Sequence, residues 1–141
     1  MEKTVRHQEF FHALFTWCAD LCAGQAKATD DEVRRFWTED GRMVTNGRVE
    51  AAGVSALRAH FELFPQRYRT VEILVPFRRY IESGDDVAIE YDIVGELKQG
   101  AVAIATGETD RQEVRVMANF TLVDGRISEM REVAAKVEGR D

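Results

Sequence analysis

Apolar positions recur along this chain with two different periods. From Val5 to Ala23, the residues Phe10, Phe11, Leu14, Trp17, Cys18, Leu21 and Cys22 return every three or four positions, and Gly24 offers a stop. That spacing predicts a long amphipathic helix with an aromatic stripe. Ala28–Trp37 predicts a second, short helix, capped by Thr29 or Asp30, with acids in its first turn where the helix dipole favours them. Thr38-Glu-Asp-Gly41 breaks it and feeds a strand over Arg42–Asn46, closed by Gly47. A third helix over Val54–Phe64 sets Leu57, Phe61 and Phe64 on one stripe, with Pro65 as its stop.

Beyond Tyr68 the period falls to two. Strands are expected over Tyr68–Ile81 and Val87–Leu97, joined by a turn at Ser83-Gly84-Asp85, and Pro76 points to an edge position or a bulge. Ala101–Ala105 is a candidate extension of this hairpin, and Thr106–Asp110 reads as a loop. Two β-rich runs, Glu113–Val123 and Arg126–Ala134, then flank Asp124-Gly125, a strong hairpin signal because glycine accepts positive φ. Val114, Val116, Ala118, Phe120 and Leu122 share one face of the first run. On the second run Met130, Glu132 and Ala134 fall together with Ser128. Glu132 is thus a carboxylate set among apolar neighbours, and this hairpin is expected to wall any site. Helices first and a strand meander afterwards predict an α+β fold, a cone-shaped curved antiparallel sheet packed on three N-terminal helices. Such a cone encloses a natural small-molecule pocket.

The 141 residues fit one domain spanning 1–141, long enough to bury a core. A formal net charge of -6 argues against nucleic acid or an anionic membrane as the partner. Cys18 and Cys22, one helical turn apart, read as buried thiols and suit a cytoplasmic protein. Neither they nor His7, His12 and His60 have metal-site spacing, so no metal and no cofactor are expected, and His12 and His60 read as surface residues. The sequence has no leader pattern or membrane-length apolar run and is expected to be complete as written.

Burial of Glu132 would raise its pKa and suit it to acid–base work; the alternative is a solvated carboxylate paired with Arg or Lys at the strand exit. Glu90 and Asp92 share one face of Val87–Val94, while Ile89, Tyr91 and Ile93 take the other. The cost of burying charge favours the apolar face inward and both acids outward. Asn46, just before Gly47, reads as a turn residue or a ligand. Of Arg78 and Arg79, one is expected on each sheet face.

With that order of elements the chain resembles the nuclear-transport-factor-2-like (cystatin-like, SnoaL-like) superfamily over nearly its whole length. The resemblance rests on Phe36–Val44 after the second helix, Gly53–Arg58 opening the third, and Phe120–Glu132 in the last hairpin. Gly125–Met130 is similar to the final strand of ketosteroid isomerases, which would put Met130 in the pocket and Trp17 near their helix-one tyrosine. Their two catalytic acids fall at about Thr45 and Ala118, so that activity is not expected. Val116–Phe120, Asp124–Ile127 and Arg131-Glu132 resemble limonene-1,2-epoxide hydrolases. That resemblance implies Glu132 as water-activating acid, Asn46 as water holder and Asp92 as general acid. Their tyrosine and arginine fall at Val44 and Glu90, which departs from the pattern. The expected site therefore has Glu132, Asp92 and Asn46 for chemistry, and Trp17, Phe61, Val116, Ala118, Phe120 and Met130 for an apolar ligand. The fold also commonly pairs sheet to sheet, which implies a homodimer through the outer face around Val114–Leu122. Both a cofactor-free enzyme or ligand binder and a non-catalytic dimeric module remain open.

Overall fold

The computed structural model describes residues 6–104, 106–109 and 111–137. Its elements are α1 (Gln8–Ala23), α2 (Asp30–Arg34), β1 (Trp37–Thr45), β2 (Arg48–Ala52), α3 (Val54–Arg67), β3 (Tyr68–Ile73), β4 (Arg79–Ser83), β5 (Asp86–Leu97), β6 (Arg111–Val123) and β7 (Arg126–Lys136). The expected α+β architecture is present. The strands form one sheet in the order β2-β1-β7-β6-β5-β3, with β4 also paired to β5. All pairs are antiparallel except β1 with β7.

The helices obey their sequence signals with shifted ends. Gly24 closes α1 in the left-handed conformation, and the Thr29 hydroxyl caps α2 by accepting from the Glu32 N–H at 3.1 Å. α2 stops at Arg34 instead of Trp37, because Trp37 already belongs to β1. α3 runs through Pro65 to Arg67, one turn beyond its expected stop; the missing proline N–H costs only one bond near a helix end. Val5, the expected start of α1, lies outside the described residues.

The strands differ more. Tyr68–Ile81 is not one strand: β3 and β4 pair with opposite halves of β5, and between them Leu74 and Arg78 still donate to the Asp92 and Glu90 carbonyls while the chain around Pro76 lies off the ladder. β2, unforeseen, forms a hairpin with β1 across Asn46-Gly47, whose φ values of 49° and 82° suit that turn. Ala101–Ile104 does not extend the β5 hairpin; it is loop, with Ala103 buried against Tyr68, Val71 and Leu97. Ala105 and Asp110 lie outside the described residues.

Val114, Val116, Ala118, Phe120 and Leu122 all point inward, against the three helices. A bulge between Thr121 and Leu122 shifts the β6–β7 register, so Ile127 and Met130 reach the same core despite opposite parity. The outer face therefore belongs to the odd-numbered residues of β6. The even-numbered set of Val114–Leu122 is core, so any pairing through the outer face of this stretch falls to its odd-numbered residues. Gly95 marks a close approach of β5 to β3, where a Cβ would stand 2.8 Å from the Thr70 carbonyl oxygen.

Candidate active site

The concave face of the sheet does not pack fully against the helices. A cavity of about 250 Å³ remains between α1, α3 and the sheet, lined mostly by apolar and aromatic side chains. Phe15, Trp37, Phe61, Phe64, Tyr68 and Tyr91 supply six rings to its wall. Exposed Asn46, Arg48 and Glu50 form its rim. On the β3 side the Tyr68 hydroxyl donates to the Gln112 side-chain oxygen at 2.7 Å and accepts from the Ile104 N–H at 2.8 Å, fastening the loop before β6.

Glu132 faces this cavity. Parallel pairing sets it beside Thr45, whose hydroxyl donates to a Glu132 carboxylate oxygen at 2.6 Å. Among the described residues it has no ion-pair partner. Burial raises its pKa, the Thr45 bond works against that rise, and the Glu50 carboxylate adds to it. Tyr91 projects into the same cavity from β5, and its hydroxyl makes no hydrogen bond among the described residues. Burial, and after it the charge of Glu132, hold that phenol well above its usual range. The Cys18 thiol, also on the wall, is pushed up by burial, by Cys22 and by Glu132, so it stays protonated and unreactive.

His60 belongs to the cavity wall, contrary to its expected place on the surface. Its ring packs edge-on against Phe61 and Phe64, and burial with nearby Arg67 lowers its pKa to about 4. It is therefore neutral near pH 7.

The other expected site residues divide. Phe61, Val116 and Met130 line the cavity. Trp17, Ala118 and Phe120 do not; they are packed in the core behind it, with Trp17 against Phe36 and Phe61. Asn46 sits at the rim, but its side chain extends the β1–β7 ladder. Its carbonyl accepts from the Ala134 N–H at 3.0 Å and its amide faces the Ala134 oxygen at 3.4 Å. Asp92 lies on the opposite face of the sheet, bound to Arg115 at 2.9 Å and Arg78 at 3.3 Å, so it is separated from Glu132 by the sheet itself. Arg78 and Arg79 both lie outside the cavity, so the expected inward arginine is absent from its wall. Glu50 carried no sequence signal, and Thr45 only its match to the position of a ketosteroid isomerase acid. Their roles come from strand pairing alone.

A curved sheet wrapped around three helices thus leaves the Glu132 carboxyl group facing a largely apolar cavity. The model of the SnoaL-like domain matches residues 18–130, and the chain belongs to that family. Solved structures share the fold at low identity. A putative SnoaL-like polyketide cyclase from Jannaschia sp. CCS1 is 18% identical, with 95% of this chain and 90% of that chain covered and a TM-score of 0.66. A nuclear-transport-factor-2-like protein from Anabaena variabilis is 14% identical, with 96% and 97% covered and a TM-score of 0.65. TerC, co-crystallised with polyporic acid, is 13% identical, with 89% and 90% covered and a TM-score of 0.58. No curated protein matches the chain in sequence. Among the described residues no helix is long and apolar enough to cross a membrane, and no three His, Cys, Asp or Glu side chains gather as a metal site requires.

Proposed function

We propose that this protein is a SnoaL-like small-molecule enzyme whose apolar cavity works by cofactor-free acid–base chemistry at Glu132. The observation that carries the reading is the position of that carboxyl group: inside the cavity, raised in pKa by burial, and held by the single hydroxyl of Thr45. A carboxylate with a raised pKa is a stronger base near neutral pH and keeps its proton longer as an acid. The similar structures of a putative polyketide cyclase and of TerC with polyporic acid support a small organic molecule as ligand.

Within acid–base chemistry the geometry favours isomerase-, dehydratase- or cyclase-type proton transfer over hydrolysis. Water activation of the epoxide hydrolase kind needs a free asparagine amide and a second acid. Here the Asn46 side chain is engaged by Ala134, and Asp92 is on the far face.

A generic carbon acid tests the base directly. Elimination of 5-nitrobenzisoxazole needs one proton removed in an apolar site and is read by absorbance. The wild-type rate should rise with pH through the titration of Glu132, and Glu132→Gln should lower it by about 10²-fold or more while leaving the melting temperature nearly unchanged. Equal rates in the two proteins would sink the proposal.

One observation favours a second reading, a non-catalytic dimeric module. Met117 and Val133, 59% and 64% exposed, are register partners on the outer sheet face. A homodimer through that face would cover both, and a monomer in sedimentation at micromolar concentration would count against it.

A further inference from the structure

We infer that the ligand of this cavity is an apolar amine, bound as its ammonium between the Glu132 carboxylate, the Tyr91 hydroxyl and the surrounding aromatic faces. The inference rests on the cavity being the functional site, as proposed above, and adds the charge of what it takes.

Among the described residues, the cavity has no positive charge of its own at depth. Glu132 has a hydrogen-bond donor in Thr45 but, among the described residues, no cationic partner, and the charge that raises its pKa from the rim is that of Glu50, another acid. The rim itself carries both signs, Glu50 and Arg48, so the charge inside the cavity is that of Glu132. The other titratable groups facing this space are Cys18 from α1, His60 from α3, Tyr68 from β3 and Tyr91 from β5. All four are uncharged near neutral pH: the thiol and both phenols are raised by burial, and the imidazole is lowered to about 4. An anionic ligand would meet the Glu132 carboxyl group and, among the described residues, no interior cation. A cation would meet the complementary field.

The walls give the same sign. Six aromatic rings line the cavity, and the face of an aromatic ring attracts a cation through its quadrupole. In the sheet, Tyr91 pairs with Val116, which pairs with Ala134, and Glu132 pairs with Ala118. Carboxyl and hydroxyl therefore rise from the same concave face two strands apart, and the intervening side chains are small. An ammonium group held there donates to the carboxylate and to the Tyr91 oxygen, which has no other partner among the described residues. An alkylammonium of ordinary pKa near 10 holds its proton more tightly than any carboxyl group in this environment, so the pair forms with Glu132 ionised.

Three probes of one shape test this: 1-naphthylmethylamine, 1-naphthalenemethanol and 1-naphthoate, titrated by calorimetry at neutral pH. The amine should bind the wild-type protein about tenfold or more tighter than the alcohol, and the naphthoate weakest. In Glu132→Gln the amine-to-alcohol ratio should fall towards one. An alcohol or naphthoate that binds as well as the amine overturns the inference, and so does a ratio that survives Glu132→Gln. If that happens while benzisoxazole elimination still depends on Glu132, only the amine assignment fails. Failure of all three probes together with absence of elimination removes the cavity as a site altogether.

Discussion

Replacing Thr45 with valine would show how one hydroxyl sets the proton affinity of the cavity. The side chain keeps its shape, and Thr45 is only 8% exposed, so no water replaces the lost donor easily. A hydrogen bond to a charged group contributes about 1.5–3 kcal/mol and one to a neutral group about 0.5–1.5 kcal/mol, so the bond favours the carboxylate over the carboxylic acid by roughly 1–1.5 kcal/mol. At about 1.4 kcal/mol per pKa unit, Thr45→Val should raise the Glu132 pKa by roughly one further unit. Carbon-13 NMR of carboxyl-labelled glutamate reads that midpoint without any substrate. The stability of the fold follows with a fixed sign. A carboxyl group raised in the folded state contributes stability at low pH and loses it as pH rises from the unfolded pKa through the folded one. Between acid and alkaline pH, Thr45→Val should therefore lose about 1 kcal/mol more than the wild type in urea denaturation. A Glu132 midpoint that stays in place, or moves down, would refute the assignment of the Thr45 bond as the main force opposing burial.

Three other perturbations address separate parts of the fold. His60, lowered from 6.5 to about 4, contributes stability that is full above pH 6.5 and lost as pH falls towards 4; His60→Phe should flatten that loss in denaturation curves taken at both ends of the range. Asp92→Asn should weaken the outer-face pairs to Arg115 and Arg78, costing about 1–2 kcal/mol of stability, yet leave benzisoxazole elimination unchanged. A large loss of rate would place an outer-face acid in the chemistry after all. Gly95→Ala forces a Cβ to within 2.8 Å of the Thr70 carbonyl and should cost about 1–3 kcal/mol, measured as a lower urea midpoint.

Periodicity alone located most elements, because the spacing of apolar residues directly reflects which face a helix or strand buries. The aromatic stripe of α1, the Asp124-Gly125 hairpin and the inward face of β6 were all readable that way. The outward direction of Glu90 and Asp92 was favoured by the cost of burying charge and not by periodicity, while the resemblance to epoxide hydrolases placed Asp92 in the site, where it does not lie. β2 is signalled by Asn46-Gly47 between two strand-like runs, but Arg48–Ala52 is short and carries two charged residues, which blurs its strand pattern. The break between β3 and β4 was signalled by Pro76, but a proline marks an interruption without saying which strand each side will pair with.

The site divides along the same line. Sequence determined that Glu132 shares a strand face with Met130 and Ala134, because alternation along one strand is local. It could not decide that Thr45 lies beside Glu132, since that follows from a parallel pairing across 87 residues of chain. Nor could it separate Phe61, Val116 and Met130, which touch the cavity, from Trp17, Ala118 and Phe120, which lie behind it. All six are apolar residues on inward faces. Which of them borders empty space depends on how far the helices stand off the curved sheet, a distance fixed only when all the side chains between them are packed together.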